Sequence, residues 1–264
     1  MGHVTDDNGR SAGPVGIGMV VPYDMALDRE LWRWTPERVS LHLTRTPYED
    51  IPVGVGQALA IGDAATVAET TRSVTLVDPA VIAYGCTSGS FVSGREGEAA
   101  LRDAMLGAGA RRAVTTSGAL LRAVETLGIG SVAVVTPYPD EVGDRLVAFL
   151  GEAGVEVTGS SNMGLTGRIW EVPDDVTADL VRTTAKAGGD AVFVSCTNLP
   201  TYDVIAPLEA ELGRPVLTAN QVTMWAALLE AGVGADEVDA GGQRLFQGAG
   251  PREVRAGSVA NEVE

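Results

Sequence analysis

The sequence predicts an α/β fold of two pseudo-symmetric domains, each a central parallel sheet flanked by helices, with a site in the cleft between them. Short apolar runs alternate with longer segments of helical pattern, the signature of parallel β–α units. Two of those runs, residues 81–85 and 191–195, stop at Cys86-Thr87 and Cys196-Thr197. A third observation is a repeat. Val21-Pro22-Tyr23-Asp24 returns as Thr136-Pro137-Tyr138-Pro139-Asp140, 115 residues later at the first proline, and Gly85-Cys86-Thr87 returns as Ser195-Cys196-Thr197 after 110. Motifs recurring in one order at nearly one offset indicate two similar halves facing each other.

Residues 13–21 (GPVGIGMVV) read as the first strand, and residues 27–34 carry a helical pattern. Residues 39–44 (VSLHLT) alternate apolar and polar, which predicts a strand with one wetter face. A helix is expected over 61–72, and Asp78-Pro79 introduces the strand that ends at Cys86. Residues 94–110 read as a helix with Ala, Leu and Met on one side. Residues 114–118 are a strand end running into a helix over 119–127, with Ser117 as its N-cap and glycine at 128 and 130 closing it. Residues 131–136 are a buried strand, 141–153 an amphipathic helix and 154–158 an alternating strand. A longer connection opens at Asn162-Met163-Gly164. It is followed by a helix over 173–187, the Cys196 strand, a helix over 201–213, a short strand at 215–218 and a last helix over 221–231.

The domain reading is a disordered lead over 1–13, a first α/β domain from 14–116 plus 214–233, and a second from 117–213. Residues 234–264 are rich in Gly, Ala, Asp and Glu without apolar period, and are expected to form a mostly disordered acidic tail.

The chain has 264 residues, 45% of them hydrophobic, enough for two modest domains with their own cores. Nineteen Lys and Arg against 35 Asp and Glu give a net charge of −16, and Lys186 is the only lysine. That balance disfavours nucleic acid and anionic membranes as partners. No apolar run approaches the roughly 18 residues of a membrane span, and the polar lead lacks the apolar core of a signal peptide. A cytoplasmic protein without a disulfide framework is expected from two cysteines.

An apolar run bounded by turn formers is a strand buried on both faces, so Cys86 and Cys196 stand where parallel sheets deliver side chains to a ligand crevice. The turns that follow, Thr87-Ser88 and Thr197-Asn198, can aim successive N–H groups into that crevice, holding a carboxylate and favouring thiolates. On this reading Cys86 reacts with iodoacetamide faster than a model thiol near neutral pH. One thiol on each side of a carbon permits proton removal from one face and return to the other, or nucleophilic attack by one thiol with the other as acid. Pro22 and Tyr23 in the first turn, Tyr138 in its repeat and the amide of Asn162 are further candidates for contact with a small carboxylate substrate. His42 alternates within a strand and reads as structural, while His3 lies in the lead, so no metal site is expected. Gly16-Ile17-Gly18 fits neither a dinucleotide fingerprint nor a phosphate loop, and no cofactor is implied.

At these residues the chain resembles the aspartate/glutamate racemase superfamily, in the branch of maleate cis-trans isomerases and arylmalonate decarboxylases. The resemblance spans about residues 15–233. It rests on Val20-Val21-Pro22, Tyr84-Gly85-Cys86-Thr87-Ser88-Gly89, Thr115-Thr116-Ser117-Gly118, Val134-Val135-Thr136-Pro137-Tyr138, Val194-Ser195-Cys196-Thr197-Asn198 and the 213–221 stretch. It implies a cofactor-independent enzyme with catalytic cysteines at Cys86 and Cys196, and carboxylate contacts at Tyr138 and near Asn162. In similar isomerases the first cysteine adds to the double bond, whereas similar decarboxylases have glycine there and reprotonate with the second. The expectation is therefore an isomerase of a small carboxylic acid, with Cys86 as nucleophile or base and Cys196 as acid/base. A racemase, a decarboxylase and a two-lobed carboxylate-binding protein are the alternatives. Similar proteins are commonly dimers, so a homo-oligomer (dimer or tetramer) is expected. The chain departs from the resemblance after Pro22: Tyr23-Asp24-Met25 stands where similar isomerases carry an asparagine that binds substrate, which puts maleate itself in doubt.

Overall fold

Two four-stranded parallel sheets of matching topology carry the chain in a computed structural model that describes residues 14–247. The first has the order β2-β1-β3-β4, from β1 (Val15–Val21), β2 (Val39–Arg45), β3 (Val81–Tyr84) and β4 (Ala113–Thr115). The second repeats it as β6-β5-β7-β8, from β5 (Ser131–Thr136), β6 (Glu156–Asn162), β7 (Ala191–Val194) and β8 (Val216–Thr218). The registers correspond as well: Ile17 pairs with Val81 in one half, Val132 with Ala191 in the other. The duplicated motifs therefore mark equivalent places, Pro22 and Pro137 after the central strands and Cys86 and Cys196 just past their neighbours.

Strands β3 and β7 (VIAY and AVFV) are short, continuous apolar runs because both faces of the sheet are covered, and every one of their side chains is buried. In the first sheet alternate residues serve two cores. Ile17, Met19, Val21, Val81 and Ala83 join a core shared by both halves, while Val20, Ile82 and Tyr84 pack against Val67, Val74, Leu101 and Met105 on the outer side. Each such fully buried side chain contributes about 1.5–3 kcal/mol of hydrophobic stabilisation. Packing is tight at Gly18, where a Cβ would stand 3.0 Å from Ile82 Cγ1 and 3.2 Å from Val74 Cγ1.

Several expected elements are redrawn. The helix expected over 61–72 is α3 (Ala64–Thr75), started three residues later by Asp63, which accepts from Thr66 N–H at 2.9 Å, and a helix not expected, α2 (Val55–Ile61), precedes it. The helix expected over 27–34 is the single turn α1 (Asp28–Leu31) followed by a 3₁₀ turn, Trp32–Trp34. Helix α4 (Thr87–Phe91), directly after Cys86, was not anticipated, and α5 (Gly94–Gly107) follows it. Helix α6 (Thr116–Leu127) is capped by Thr115, whose hydroxyl accepts from Gly118 N–H at 3.0 Å, and not by Ser117, which bonds Ser90 Oγ at 2.7 Å. Glycine closes α6 as expected, with Gly128 in the left-handed region at φ +68°.

In the second half, α7 (Asp140–Glu152), α8 (Asp174–Thr184) and α9 (Tyr202–Leu212) flank the sheet, and α10 (Ala219–Glu230) follows β8. The first-domain segment expected at 214–233 is split. Strand β8 pairs with β7 in the second sheet, and only α10 returns to pack on β3, β4 and α6.

Residues 234–247 correct the expected tail: they are ordered and end in α11 (Arg244–Gln247), with Leu245 and Phe246 buried. Their apolar residues have no period because a polar hub pins them. Gln243 Oε1 accepts from Trp34 Nε1 and from Gln221 Nε2, each at 2.9 Å. The expected disorder of 1–13 and of 248–264 lies outside the described residues. Among the described residues no helix is long and apolar enough to cross a membrane.

The halves are tied across the cleft by buried polar contacts. Glu30 on α1 accepts from Thr201 N–H, Thr201 Oγ1 and Asn220 Nδ2, each at 3.0 Å. Thr197 Oγ1 donates to Gly85 O at 3.1 Å, joining the two cysteine turns directly.

Candidate active site

Strand β3 ends at Tyr84, so that Cys86 becomes the N-cap of α4 and its sulfur accepts from Gly89 N–H at 3.4 Å. Ser88 Oγ stands 3.8 Å from the same sulfur. Gly89 cannot be larger, since a Cβ would fall 2.2 Å from Tyr84 Oη and 3.2 Å from the sulfur. In the other half, β7 delivers Cys196 into a tight turn at φ +91°, a strained conformation for a residue with a Cβ and one that concentrates at functional sites. Its sulfur accepts from Asn198 N–H at 3.3 Å.

The two thiols, 3% and 7% exposed, line one small cavity of about 30 Å³. Pro22, Thr87, Ser88, Tyr138, Thr197 and Asn198 line it too, so most of the expected site residues are brought together. Sequence reasoning missed Val53, Gln57, Ile61 and Ile169 in its walls, because neither the segment through α2 nor the 3₁₀ turn Ile169–Glu171 carries a motif. A wider outer hollow of about 380 Å³ adjoins it, shares Asp24, Val53 and Gln57, and is walled by Tyr48, Arg168 and Trp170. Val53 N–H donates to Thr166 O at 3.0 Å, which closes one wall of the passage against the other.

Three expected contacts turn out differently. Asn162 does not reach the cavity: it ends edge strand β6, accepts from Thr136 Oγ1 at 2.8 Å and donates to Asp140 Oδ1 at 3.0 Å. Tyr23 lies in the outer hollow, donating to Ile51 O at 3.3 Å and accepting from Gln57 Nε2 at 3.1 Å. Asn198 faces the cavity with its amide committed, accepting from Ala26 N–H and donating to Asp24 O, each at 2.9 Å. This clamp fixes the turn after β1. Met25 is buried in the core and Asp24 lines the thiol cavity.

Burial dominates the electrostatics. The Cys86 thiol is pushed up to about 11 by its removal from water, which the Gly89 N–H and the Tyr84 and Ser88 hydroxyls only partly offset; the negative Asp24 adds to the rise. Cys196 is pushed up to about 12 by burial, against the Asn198 N–H and the Tyr138 hydroxyl, with Cys86 and Asp24 raising it further. Burial thus works against the expected activation of resting Cys86, because one N–H apiece does not replace water. Tyr138 is buried with its hydroxyl beside Ser195 and Cys196, and its own pKa is driven well above the ordinary value by burial and the two thiols. The Thr87 hydroxyl is buried without a hydrogen-bond partner, an unspent donor on the cavity wall. Chemically, the cavity offers two neutral thiols from opposite halves, a phenol beside one of them and a free hydroxyl.

The arylmalonate decarboxylase family model matches residues 63–246. The chain is 34% identical to the arylmalonate decarboxylase of Bordetella bronchiseptica, an alignment covering 75% of this chain and 88% of that protein. It is 28% identical to a maleate isomerase of Pseudomonas putida over 73% and 79% of the two chains. Among solved structures, unliganded arylmalonate decarboxylase superposes with a TM-score of 0.76 at 31% identity, covering 88% of this chain and 99% of the other. A maleate cis-trans isomerase of Nocardia farcinica, with a covalently bound succinylcysteine intermediate, shares the fold at a TM-score of 0.78 and 22% identity, over 88% and 98%. Cysteine-bearing strands, a duplicated sheet topology and these likenesses converge: the chain belongs to the arylmalonate decarboxylase family.

Proposed function

We propose that the protein is a cofactor-independent cis-trans isomerase of a small carboxylic acid, similar to maleate isomerase, with Cys86 as nucleophile and Cys196 as acid/base. The observation that carries this reading is the delivery of one thiol from each half into a single cavity. The succinylcysteine in the Nocardia farcinica isomerase supports it by showing that a thiol of that protein bonds a four-carbon acid.

Cys86 gives its proton to water at the outer hollow and takes one back when its sulfur leaves; as thiolate it bonds one alkene carbon, and the π electrons move onto the neighbouring carbon and its carboxylate. The Cys196 thiol gives its proton to that carbon. The remaining single bond rotates, the Cys196 thiolate takes the proton back, the double bond re-forms and the Cys86 sulfur leaves. The free Thr87 hydroxyl is placed to hold the carboxylate while charge builds on it.

Decarboxylation is the second reading, favoured by the 34% identity to a decarboxylase. There the Cys196 thiol would protonate the enediolate left after loss of carbon dioxide, and Cys86 would be dispensable. Proton NMR in D₂O with maleate, aspartate, glutamate and an aryl malonate separates these readings. Fumarate formed from maleate, or trans product from a related cis acid, and lost in both Cys86→Ala and Cys196→Ala, establishes isomerisation. Loss of carbon dioxide or deuterium entry at an α-carbon without isomerisation overturns it in favour of a decarboxylase or racemase. The working form is proposed to be a cytoplasmic homo-oligomer (dimer or tetramer), which light scattering and fractionation test.

A further inference from the structure

The two halves furnish the cavity with different members of the same motif. After β5 the second half presents Tyr138 to the thiols and turns Asp140 away to Asn162. After β1 the first half does the reverse, presenting Asp24 and keeping Tyr23 outside on Ile51 and Gln57. Asp24 is the one acidic residue lining the inner cavity, and no Lys, Arg or His lines it. Its carboxylate stands beside its own backbone N–H and the Gln57 amide, both of which favour its charged form. The Asn198 clamp on Asp24 O and Ala26 N–H, with Met25 anchored in the core, fixes the backbone on either side of it.

An acid held between the thiols with its carboxylate at Thr87 has its far end within the same small space as Asp24. A second carboxylate there would face the Asp24 carboxyl in a cavity whose lining carries no cation, where two carboxylates cannot both stay ionised. A hydrogen-bond donor would instead meet an acceptor already in place.

We infer that Asp24 is a specificity-determining residue, which selects a cis monocarboxylate ending in an amide or an ammonium group and rejects the corresponding dicarboxylate. This deepens the isomerase reading and rests on it for the placing of the acid between the thiols. Burial raises the pKa of Asp24, a cost that a bound donor relieves and a bound carboxylate aggravates.

Three cis-butenoates differing only at the far end test it: maleate, its monoamide maleamate and (Z)-4-aminobut-2-enoate. Turnover is followed by NMR, and binding separately, as protection of Cys86 from iodoacetamide at pH 9. In the native protein the amide or the ammonium acid should exceed maleate by at least about tenfold in protection and in kcat/KM. Asp24→Asn and Asp24→Ser should close that gap through a gain of about tenfold or more on maleate, with circular dichroism confirming that both are folded. Which of the two donor-bearing acids leads identifies the donor. Maleate leading in the native protein overturns the inference. So does a ratio that Asp24→Asn leaves within about twofold, the outcome if Asp24 kept its proton and donated to a carboxylate. Protection by none of the three acids overturns it too. Protection that follows the donor without turnover would sink the isomerase reading and keep this one, whereas turnover of maleate indifferent to Asp24→Asn would do the opposite.

Discussion

The Asn198 amide donates to the carbonyl oxygen of Asp24 at 2.9 Å, across 174 residues of sequence, so the turn that carries one wall of the cavity is held by the residue two places after the opposite thiol. Asn198→Ala breaks this bond and the one to Ala26 N–H, leaving two partly buried backbone groups without their partner. The expected loss is about 2 kcal/mol, a fall of roughly 4–8 °C in Tm for a chain of this size. Calorimetry measures the stability. KM should rise more than kcat falls, since the substrate wall is loosened while the thiols remain.

The thiols should be slow at neutral pH. Cys86 at about 11, against an ordinary 9.0, has about a hundredth of the thiolate of an ordinary thiol. Alkylation of the native protein by iodoacetamide at pH 7.5 should lag an unfolded control by that factor and climb tenfold per pH unit above 9. A native rate equal to that of the control would show that the cavity solvates sulfur better than its burial indicates.

The same shifts set a stability profile. The folded state holds both thiol protons more tightly than the unfolded chain, so this contribution is complete below the ordinary thiol pKa and is lost as pH rises towards about 11 and 12. Urea midpoints should therefore fall above pH 9, and the Cys86→Ala/Cys196→Ala double variant should fall less.

Gly89→Ala should lose activity by tenfold or more. The new methyl would stand 2.2 Å from Tyr84 Oη, whose hydroxyl donates to Ile61 O at 2.7 Å, and would press on the Cys86 sulfur. Tm and kcat should drop together.

Asn162→Ala should leave kcat/KM within about twofold while lowering stability by about 1 kcal/mol, because its bonds go to Thr136 and Asp140 outside the cavity. A large loss of activity would return Asn162 to the site.

Both cysteine strands, the pseudo-symmetry and most cavity residues were legible in the sequence because they sit on strand ends, where period and punctuation are sharp. Matching topologies around Pro22 and Pro137 follow from that repeat. What stayed hidden depended on tertiary partners. Asn162 and Asn198 look alike as amides beside turns, and only their neighbours show that one braces a helix start and the other a loop from the far half. Leu245 and Phe246 make no pattern on their own, and their order comes from Gln243 meeting Trp34 and Gln221. The upward push on the thiol pKa values was not legible, because a sequence displays N–H donors but not the depth at which they work.

Deep thiols have one more consequence. Peroxide and other oxidants attack sulfur as thiolate, and burial leaves only a trace of either cysteine in that form near neutral pH. The resting protein should therefore keep both sulfurs reduced through oxidative episodes that inactivate enzymes with exposed, acidic cysteines.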